Sequence, residues 1–206
     1  MFEIRSNYKV INNRKGKNKS NFGVVVLIII AISIVLGFVF DFTLTKIEYS
    51  VYRKPQEYSA YVEKYSAEYD VPEEIVWAVI KTESSFESSA QSHKGAIGLM
   101  QMLPDTFRWL TNDILRDYHE IGMLYHPETN IKYGTYYLSR LYKRFGDWDT
   151  AIAAYNGGEG NVSEWMGEDG KLTLGEIPWE YFETMSYVVK VNYRAEKYKK
   201  LYASEK

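Results

Sequence analysis

The sequence predicts a mainly α-helical domain that follows a single N-terminal transmembrane helix. Three observations support this fold class. Residues 23–40 contain no charge, apolar residues from position 57 onward recur at helical spacing, and no segment alternates cleanly enough to predict a long strand. The 206 residues allow one sizeable hydrophobic core with an appendage.

Composition and charge narrow the function classes. The 19 tyrosines bring the aromatic content to 16%, which argues against a disordered chain, and the absence of cysteine excludes disulfides, thiolate nucleophiles and cysteine-ligated metals. Residues 1–22 hold six basic residues and one acid, a charge of +5, so the remainder, with 19 basic and 26 acidic residues, carries −7. Because phosphate binding usually needs a basic face, we expect no nucleic-acid partner for the domain.

The run from Gly23 to Phe40 is predicted to be an uncleaved membrane anchor. Its eighteen residues reach the lower limit for crossing a hydrocarbon core about 30 Å thick at about 1.5 Å per residue. A buried core helix would be expected to contain polar interruptions, and a cleaved signal peptide would have a shorter apolar stretch followed by a small-x-small site. Asp41, Phe42 and Thr43 follow the run instead.

Basic residues set the predicted topology. Positive charge that flanks a first span is retained in the cytoplasm. We therefore predict a cytoplasmic tail over 1–22, an anchor over 23–40, a short stalk over 41–56 and an extracytoplasmic domain over 57–206. A nucleic-acid arm is an alternative interpretation of the tail, but its position directly before the span makes the topological role sufficient. The six basic residues are Arg5, Lys9, Arg14, Lys15, Lys17 and Lys19.

Helices are predicted over most of the domain. Pro72 and Pro104 suit a first helical turn, Asp147 can cap the helix that follows it, and Gly146 and Gly157 can close their helices. The glycine-bearing segment 86–103 is the main irregular piece, where a small β-hairpin could lie. The predicted helices cover residues 57–69, 73–84, 104–115, 129–145, 148–156 and 180–202.

Glu83 stands where the pattern expects an apolar residue. The helix over 73–84 places residues such as Ile75, Val79 and Ile80 on one face, and position 83 continues that stripe. A carboxyl group there would lose hydration and lie at the negative end of the helix dipole, and both effects raise its pKa toward the range of a general acid. The alternative is that this last-turn residue rolls to the surface, and periodicity alone does not decide between the two.

Other candidate site residues have ordinary structural interpretations as well. Gly95 and Gly98 allow a close approach to a ligand, but a plain loop needs the same residues. Met100 would usually fill a gap in a core, and Asn156, beside a glycine pair, could cap a helix. Tyr187 would by default be a core tyrosine whose hydroxyl finds a partner.

Four segments together resemble the lytic transglycosylases of the soluble-lytic-transglycosylase (SLT) type. The run ESSFESSAQSHKGAIGLMQMLPDT, which begins at Glu83, contains the Glu-Ser pair, the small residues Ser92 and Gly95, and the Gly-Leu-Met-Gln motif at 98–101. Downstream, residues 154–158 match an Ala-Tyr-Asn-x-Gly segment, and IPWEYFETMSYV contains the Ile-Pro, Glu-Thr and Tyr-Val landmarks. The resemblance covers about residues 58–202, roughly 70% of the chain.

The resemblance implies a lysozyme-like fold, of the goose-type lysozyme and SLT kind, and a bacterial substrate. The implied enzyme cuts the β-1,4 bond between N-acetylmuramic acid and N-acetylglucosamine in peptidoglycan, on the outer side of the cell membrane, and leaves 1,6-anhydro ends. Its expected partners are therefore glycan strands and the membrane. Protein partners in wall synthesis, conjugation or secretion are not identified by the sequence.

The resemblance also implies roles for individual residues. Glu83 would be the catalytic acid and then the base, and Tyr187 would support it. Gln101, Tyr155 and Asn156 would hold N-acetyl and hydroxyl groups of the glycan. The weaker candidates for orientation or substrate contact are Ser84, Ser92 and Met100.

No cofactor or metal is implied by these motifs. His93, His119 and His126 have no metal-ligand spacing such as HExxH, and the sequence contains neither a phosphate-cradling loop nor a nucleophile elbow. Metal-dependent and serine-dependent hydrolysis therefore lack support.

A second catalytic carboxylate is likewise not evident, although ordinary glycosidases use two. Glu87 lies four residues after Glu83, but this spacing is common in acidic helices and loops, and Glu159 and Glu164 have no motif support. Two alternatives stay open. One is a hydrolytic muramidase of the same fold, and the other is a catalytically idle glycan-binding module.

Overall fold

The computed structural model describes residues 18–167, 170 and 172–203. The chain divides into two compact units, Met1–Val51 and Tyr52–Lys206. Most of the predicted cytoplasmic tail lies outside the described residues. The described part is mainly helical and contains no strand, in agreement with the predicted fold class.

The described part of the first unit is the helix α1 (Asn18–Val51), whose stretch Phe22–Val51 is long and apolar enough to cross a membrane. Its apolar side chains are exposed within this unit. The helix does not end at Phe40 with the uncharged run but continues through Val51, so most of the predicted stalk is helical. No glycine or proline interrupts residues 41–51, and the next proline is Pro55, so nothing breaks the helix earlier.

The second unit begins at Tyr52, five residues before the predicted domain start. The Tyr52 ring is buried and packs edge-on against Tyr198, with 5.5 Å between ring centroids. The Tyr52 carbonyl accepts a hydrogen bond from the Tyr202 hydroxyl at 3.1 Å. Residues 52–56 therefore belong to the folded domain rather than to a stalk.

All six predicted helices of the domain are present, with ends shifted by at most two residues. The segment predicted as one helix over 104–115 is a short α-helix that continues as a π-helix, Trp109–Leu115. The 3₁₀ helix Ile121–Tyr125 and one further α-helix were not predicted, and the predicted helix over 180–202 begins as a 3₁₀ helix, Trp179–Tyr181. The α-helices are α2 (Gln56–Tyr69), α3 (Glu73–Glu83), α4 (Pro104–Arg108), α5 (Pro127–Phe145), α6 (Trp148–Gly157), the unpredicted α7 (Glu159–Trp165) and α8 (Phe182–Leu201).

Most predicted helix ends have the expected chemistry. The Asp147 carboxylate accepts a hydrogen bond from the Thr150 backbone N–H at 2.8 Å and so caps α6. Gly146 closes α5 with φ +72°, and Pro104 is the first residue of α4. Pro72 instead stands just before α3, in extended conformation.

The irregular segment 86–103 does not form the small hairpin that the sequence allowed. It contains only two isolated antiparallel bridges, Gln91 with Ile97 and Ile97 with Met102. Each bridge encloses one tight turn, and Gly95 and Gly98 have positive φ in these turns. The chain therefore reverses before a ladder of hydrogen bonds can extend.

Two apolar clusters make up the core. The larger one surrounds α3, whose residues 75–80 are all buried, so the predicted stripe is part of a helix that is covered on every side. The smaller cluster lies beneath the segment between residues 97 and 125 and packs against α5. Tyr137 and Tyr155 contact both clusters, and a cleft opens beside them.

Candidate active site

The cleft has a volume of about 540 Å³ and takes its walls from both core clusters. The last turn of α3, the end of α6 and the start of α8 contribute lining residues. The segment 92–106 and Tyr137 of α5 contribute the others. The lining residues are Glu83, Ser92, His93, Lys94, Ala96, Gln101, Met102, Leu103, Thr106, Tyr137, Tyr155, Asn156, Gly157, Gly158 and Glu183.

Glu83 is the last residue of α3 and lies mostly buried in the wall of the cleft. Burial raises the pKa of its carboxyl group from 4.5 to about 7. The nearby Tyr187 hydroxyl lowers the pKa, and the negative charge of Glu183 raises it. Glu83 can therefore carry a proton near neutral pH and release it to a bound molecule, as a general acid requires.

Glu183 is a second carboxylate in the cleft that the sequence analysis did not select. It lies in the first turn of α8 and is exposed. Its position in the Glu-Thr landmark was the signal that could have identified it. The acids considered from sequence lie elsewhere: Glu87 is exposed and accepts a hydrogen bond from the Ser89 hydroxyl, and Glu159 pairs with Arg144 at 2.7 Å.

Tyr187 lies one turn after Glu183 on α8 and is buried behind the cleft wall. Its hydroxyl has no hydrogen-bond partner of normal geometry among the described residues. Burial raises the pKa of Tyr187 well above its ordinary value, and the charge of Glu83 adds to this effect. The hydroxyl is thus close enough to influence Glu83 electrostatically without being aligned on it. Tyr187 lies outside the cleft lining, so its geometry fits a positioning role.

The turn of the Gly-Leu-Met-Gln motif is held by Asn130, a buried residue of α5 that no sequence pattern marks. Its side-chain oxygen accepts a hydrogen bond from the Met100 N–H at 2.7 Å, and its amide group donates to the carbonyls of Ile97 and Leu124, both at 2.8 Å. Gly98 has φ +80°, and a Cβ atom there would lie 2.2 Å from the Asn130 amide nitrogen. Only glycine fits this approach.

Three of the sequence-predicted binding residues hold this turn in place. The Ser84 hydroxyl donates a hydrogen bond to the Leu99 carbonyl at 2.8 Å and so ties the end of α3 to the motif. The Tyr155 hydroxyl donates to the Met100 carbonyl at 2.7 Å. The Met100 side chain is fully buried against α5 at Gly134. These groups build the wall of the cleft, and of the three only Tyr155 also lines it.

Gln101 and Asn156 both line the cleft, and each uses one end of its amide internally. The Gln101 NH₂ group donates to the carbonyls of Gly98 and Ala90 at 2.9 and 3.1 Å, so its oxygen is the end left for a ligand. The Asn156 oxygen accepts a hydrogen bond from the Thr184 hydroxyl at 2.9 Å, so its NH₂ group is left. The cleft therefore offers both an acceptor and a donor, which an acetamido group could use.

Ser92 lines the cleft next to His93 and Lys94. Its hydroxyl accepts a hydrogen bond from the Ala96 N–H at 3.0 Å, so Ser92 also shapes the turn. The other two histidines do not line the cleft. The Nε2 atom of His119 is 3.7 Å from the Oδ2 atom of Asp117, and His126 is exposed. Within the described residues no group of three or more His, Asp or Glu side chains is arranged to hold a metal ion.

Comparisons with known proteins identify the family of this chain. Residues 60–176 match the family described as the transglycosylase SLT domain. A soluble lytic murein transglycosylase of Salmonella typhimurium is 35% identical over 146 residues, which are 68% of this chain and 22% of that relative. Membrane-bound lytic murein transglycosylase C of Yersinia pestis is 31% identical over 175 residues, which cover 72% of this chain and 48% of the relative.

The fold is also similar to that of a solved lytic transglycosylase structure. The structure of an inactive mutant of the lytic transglycosylase Slt from Pseudomonas aeruginosa superimposes with a TM-score of 0.64 and 30% identity. The match covers 73% of this chain and 25% of that one. This chain thus spans less than half the length of the relatives it matches. From its motifs, its fold and the extent of these matches, the chain belongs to the SLT transglycosylase family.

Proposed function

We propose that this chain is a membrane-anchored lytic transglycosylase that cleaves the β-1,4 bond between N-acetylmuramic acid and N-acetylglucosamine in peptidoglycan. One observation carries the proposal. Glu83, with a pKa raised to about 7, lines a cleft of 540 Å³ in a member of a family whose relatives are named for this activity. The cleft also supplies the unpaired ends of Gln101 and Asn156 for the polar groups of a sugar.

In the first step, the protonated Glu83 carboxyl donates its proton to the glycosidic oxygen while the bond from that oxygen to the anomeric carbon breaks. The carbonyl oxygen of the substrate's own 2-acetamido group stabilises the positive charge that develops at the anomeric carbon. This assistance removes the need for a carboxylate nucleophile. Glu83 is left as a carboxylate beside the sugar.

In the second step, the Glu83 carboxylate takes the proton of the C6 hydroxyl, and the C6 oxygen bonds to the anomeric carbon. The sugar closes to a 1,6-anhydro ring, Glu83 regains its proton, and no water is consumed. One residue therefore serves as acid and then as base. A pKa near neutrality suits this double role, because neither protonation state is strongly disfavoured.

A hydrolytic muramidase is the second candidate, and Glu183 is the observation that favours it. An inverting hydrolase needs a carboxylate that activates water on the face of the sugar opposite the acid. Glu183 is exposed in the same cleft as Glu83 and could serve as that base. The two mechanisms differ in their products.

Digestion of purified peptidoglycan in ¹⁸O-labelled water tests both candidates. We expect unlabelled muropeptides with 1,6-anhydro ends, each lighter by one water than a hydrolytic product, as measured by mass spectrometry. The Glu83→Gln chain keeps the side-chain shape without a transferable proton, so it should fold normally and lose at least about 100-fold in activity. Labelled ends that can be reduced with borohydride would instead identify a muramidase.

Membrane association is part of this proposal. The support is α1, whose apolar stretch is long enough to cross a bilayer, together with the membrane-bound relative from Yersinia pestis. We further propose that the chain crosses the membrane once, with residues 1–22 in the cytoplasm and the catalytic domain outside.

A further inference from the structure

A second pocket, of about 320 Å³, lies on the exposed side of α5 and is rich in basic side chains. Four of its six lining residues come from the second half of α5, and three of those four are cationic. We call this site the basic pocket, and its lining residues are Tyr136, Ser139, Arg140, Lys143, Arg144 and Glu159.

Two cations of the basic pocket have no anionic partner within the part of the chain that the structure describes. Arg144 is neutralised by Glu159, with 2.7 Å between guanidinium nitrogen and carboxylate oxygen. Arg140 and Lys143 form no ion pair with any described residue. The Arg140 guanidinium lies over the Trp109 ring, 4.6 Å from its centroid, which orients it without neutralising it. With three cations and one anion, the pocket carries +2 in a domain that is acidic as a whole.

The basic pocket and the cleft are lined in part by residues that are neighbours along the chain. Tyr136 lines the pocket and Tyr137 lines the cleft, while Glu159 of the pocket directly follows Gly158 of the cleft. The charges of the pocket also affect the pKa of Tyr137. Burial raises the pKa of Tyr137 to about 12, the charge of Glu159 adds to this, and the charges of Arg140 and Arg144 oppose it. A ligand in the cleft could therefore extend a charged branch into the pocket.

We propose that the basic pocket binds a carboxylate of the stem peptide that muramic acid carries, so that the enzyme favours peptide-bearing glycan. This inference rests on the proposed function. Where a stem peptide is attached, the lactyl carboxyl group of muramic acid is bound in an amide and carries no charge, so the free carboxylates of such a strand are those of the peptide itself. A planar guanidinium held on an aromatic ring suits a carboxylate, because it can donate two parallel hydrogen bonds with little loss of freedom.

The test compares uncross-linked glycan strands that bear stem peptides with the same strands after an amidase has removed the peptides. The stripped strands keep only the lactyl carboxylate next to each sugar ring, whereas the peptides carry carboxylates farther from the ring. The full-length chain is compared with an Arg140→Gln/Lys143→Gln variant and with a Lys190→Gln/Lys200→Gln control, which removes two exposed positive charges from α8. We expect wild-type kcat/KM to be about threefold to tenfold higher on peptide-bearing strands, in keeping with one or two partly exposed ion pairs.

The pocket variant should lose this preference while it cleaves stripped strands at the wild-type rate, and the control should keep the preference. The preference should also weaken as salt is raised. A pocket variant that keeps the preference, or that loses activity equally on both substrates, would overturn the proposal. A preference that follows phosphate-containing wall polymers on strands without peptides would overturn it too, since the anion would then be a phosphate.

Failure of the proposed function can be recognised separately. If the wild-type chain releases no muropeptides from either substrate, the proposed activity is wrong. The role of the basic pocket is then tested by measuring how tightly the chain binds the two kinds of strand. The Glu83→Gln chain should bind peptide-bearing strands more tightly than stripped ones, and the Arg140→Gln/Lys143→Gln changes should abolish that difference. Equal binding of both strand types would count against the basic pocket alone.

Discussion

At Glu83, three neighbouring influences set the protonation of one carboxyl group. Burial disfavours the charged form most strongly, the charge of Glu183 works in the same direction, and the Tyr187 hydroxyl works against both. The pKa of about 7 leaves Glu83 able to act as an acid and to be regenerated. Because Glu183 is exposed and Tyr187 is buried, the two neighbours can be altered with different consequences for folding.

The pH dependence of cleavage should report the Glu83–Glu183 interaction. In the proposed mechanism Glu83 begins protonated, so wild-type kcat/KM should fall above a pH of about 7, by roughly tenfold per unit. Glu183→Gln removes a negative charge that raises the pKa of Glu83, so the alkaline limb should move to lower pH. The matched control is Glu180→Gln, an exposed acid one turn earlier. An alkaline limb that stays in place in Glu183→Gln would mean that the two carboxylates do not interact in the working enzyme.

Sequence reasoning selected Glu83 because a polar residue stands on an apolar stripe and because the Glu-Ser pair belongs to the SLT resemblance; the structure places this residue in the cleft. It could not find how the hydroxyls of Ser84 and Tyr155 are used, because their acceptors, the carbonyls of Leu99 and Met100, are 15 and 55 residues away. Asn130 was missed for the same reason. Its three hydrogen bonds join separate segments of the chain, and an isolated asparagine in a helix gives no pattern.

The turn at residues 98–101 contributes Gln101 to the cleft that Glu83 also lines. Asn130, Ser84 and Tyr155 all bond to its backbone, so the turn is fixed from α5, α3 and α6 at once. Gln101 itself has φ +48°, a conformation that costs energy for a non-glycine residue and that this bracing maintains. Hydrogen bonds from three helices therefore hold the turn at residues 98–101 in one position.

Replacing Gly98 with alanine should disrupt this turn. The new Cβ would lie 2.2 Å from the Asn130 side chain and 2.4 Å from the Leu124 carbonyl oxygen. We expect a loss of about 3 kcal/mol or more in the free energy of unfolding, because strain at positive φ is joined by the loss of buried hydrogen bonds. Chemical denaturation would measure the loss, and cleavage at a temperature where the variant is folded should also drop.

Substitutions at two other glycines distinguish the cost of backbone strain at positive φ from the cost of the steric contact at Gly98. Gly95→Ala has the same positive φ but open space around the Cβ, so it should cost only about 1 kcal/mol from strain. Gly122→Ala has neither problem and should be nearly neutral. If Gly98→Ala costs no more than Gly95→Ala, the contact with Asn130 does not hold the turn.

Helix positions were predictable because the periodic apolar face and the end signals agree along α2, α3, α5, α6 and α8. The failures are short elements. α7 has seven residues and follows α6 directly across the glycine pair, so local signals favour a loop there, and packing of Val162 into the core decides otherwise. The absent hairpin in 86–103 has a similar origin, since positive φ at two glycines turns the chain before strands can pair.

Across the whole molecule, charge and hydrophobicity are separated along the chain. Basic residues precede α1, an apolar helix follows, and the domain that begins at Tyr52 contains the cleft and most of the acids. The boundary at Tyr52 could not be read from the sequence. Tyr52 enters the core only because Tyr198 and Tyr202, near the far end of the chain, return to meet it.

The proposed topology makes a prediction for sealed cells whose wall has been removed. Protease added from outside should digest the catalytic domain, because the six basic residues before the span retain residues 1–22 in the cytoplasm. An epitope placed before residue 1 should survive until the membrane is permeabilised, and immunoblots for the epitope and for the domain would measure both. Changing the six basic residues to glutamine weakens the retention signal and should allow a fraction of chains to insert with the domain inside. If the domain is protected in sealed cells while the epitope is lost, the orientation is reversed, and the enzyme could not reach peptidoglycan from its anchor.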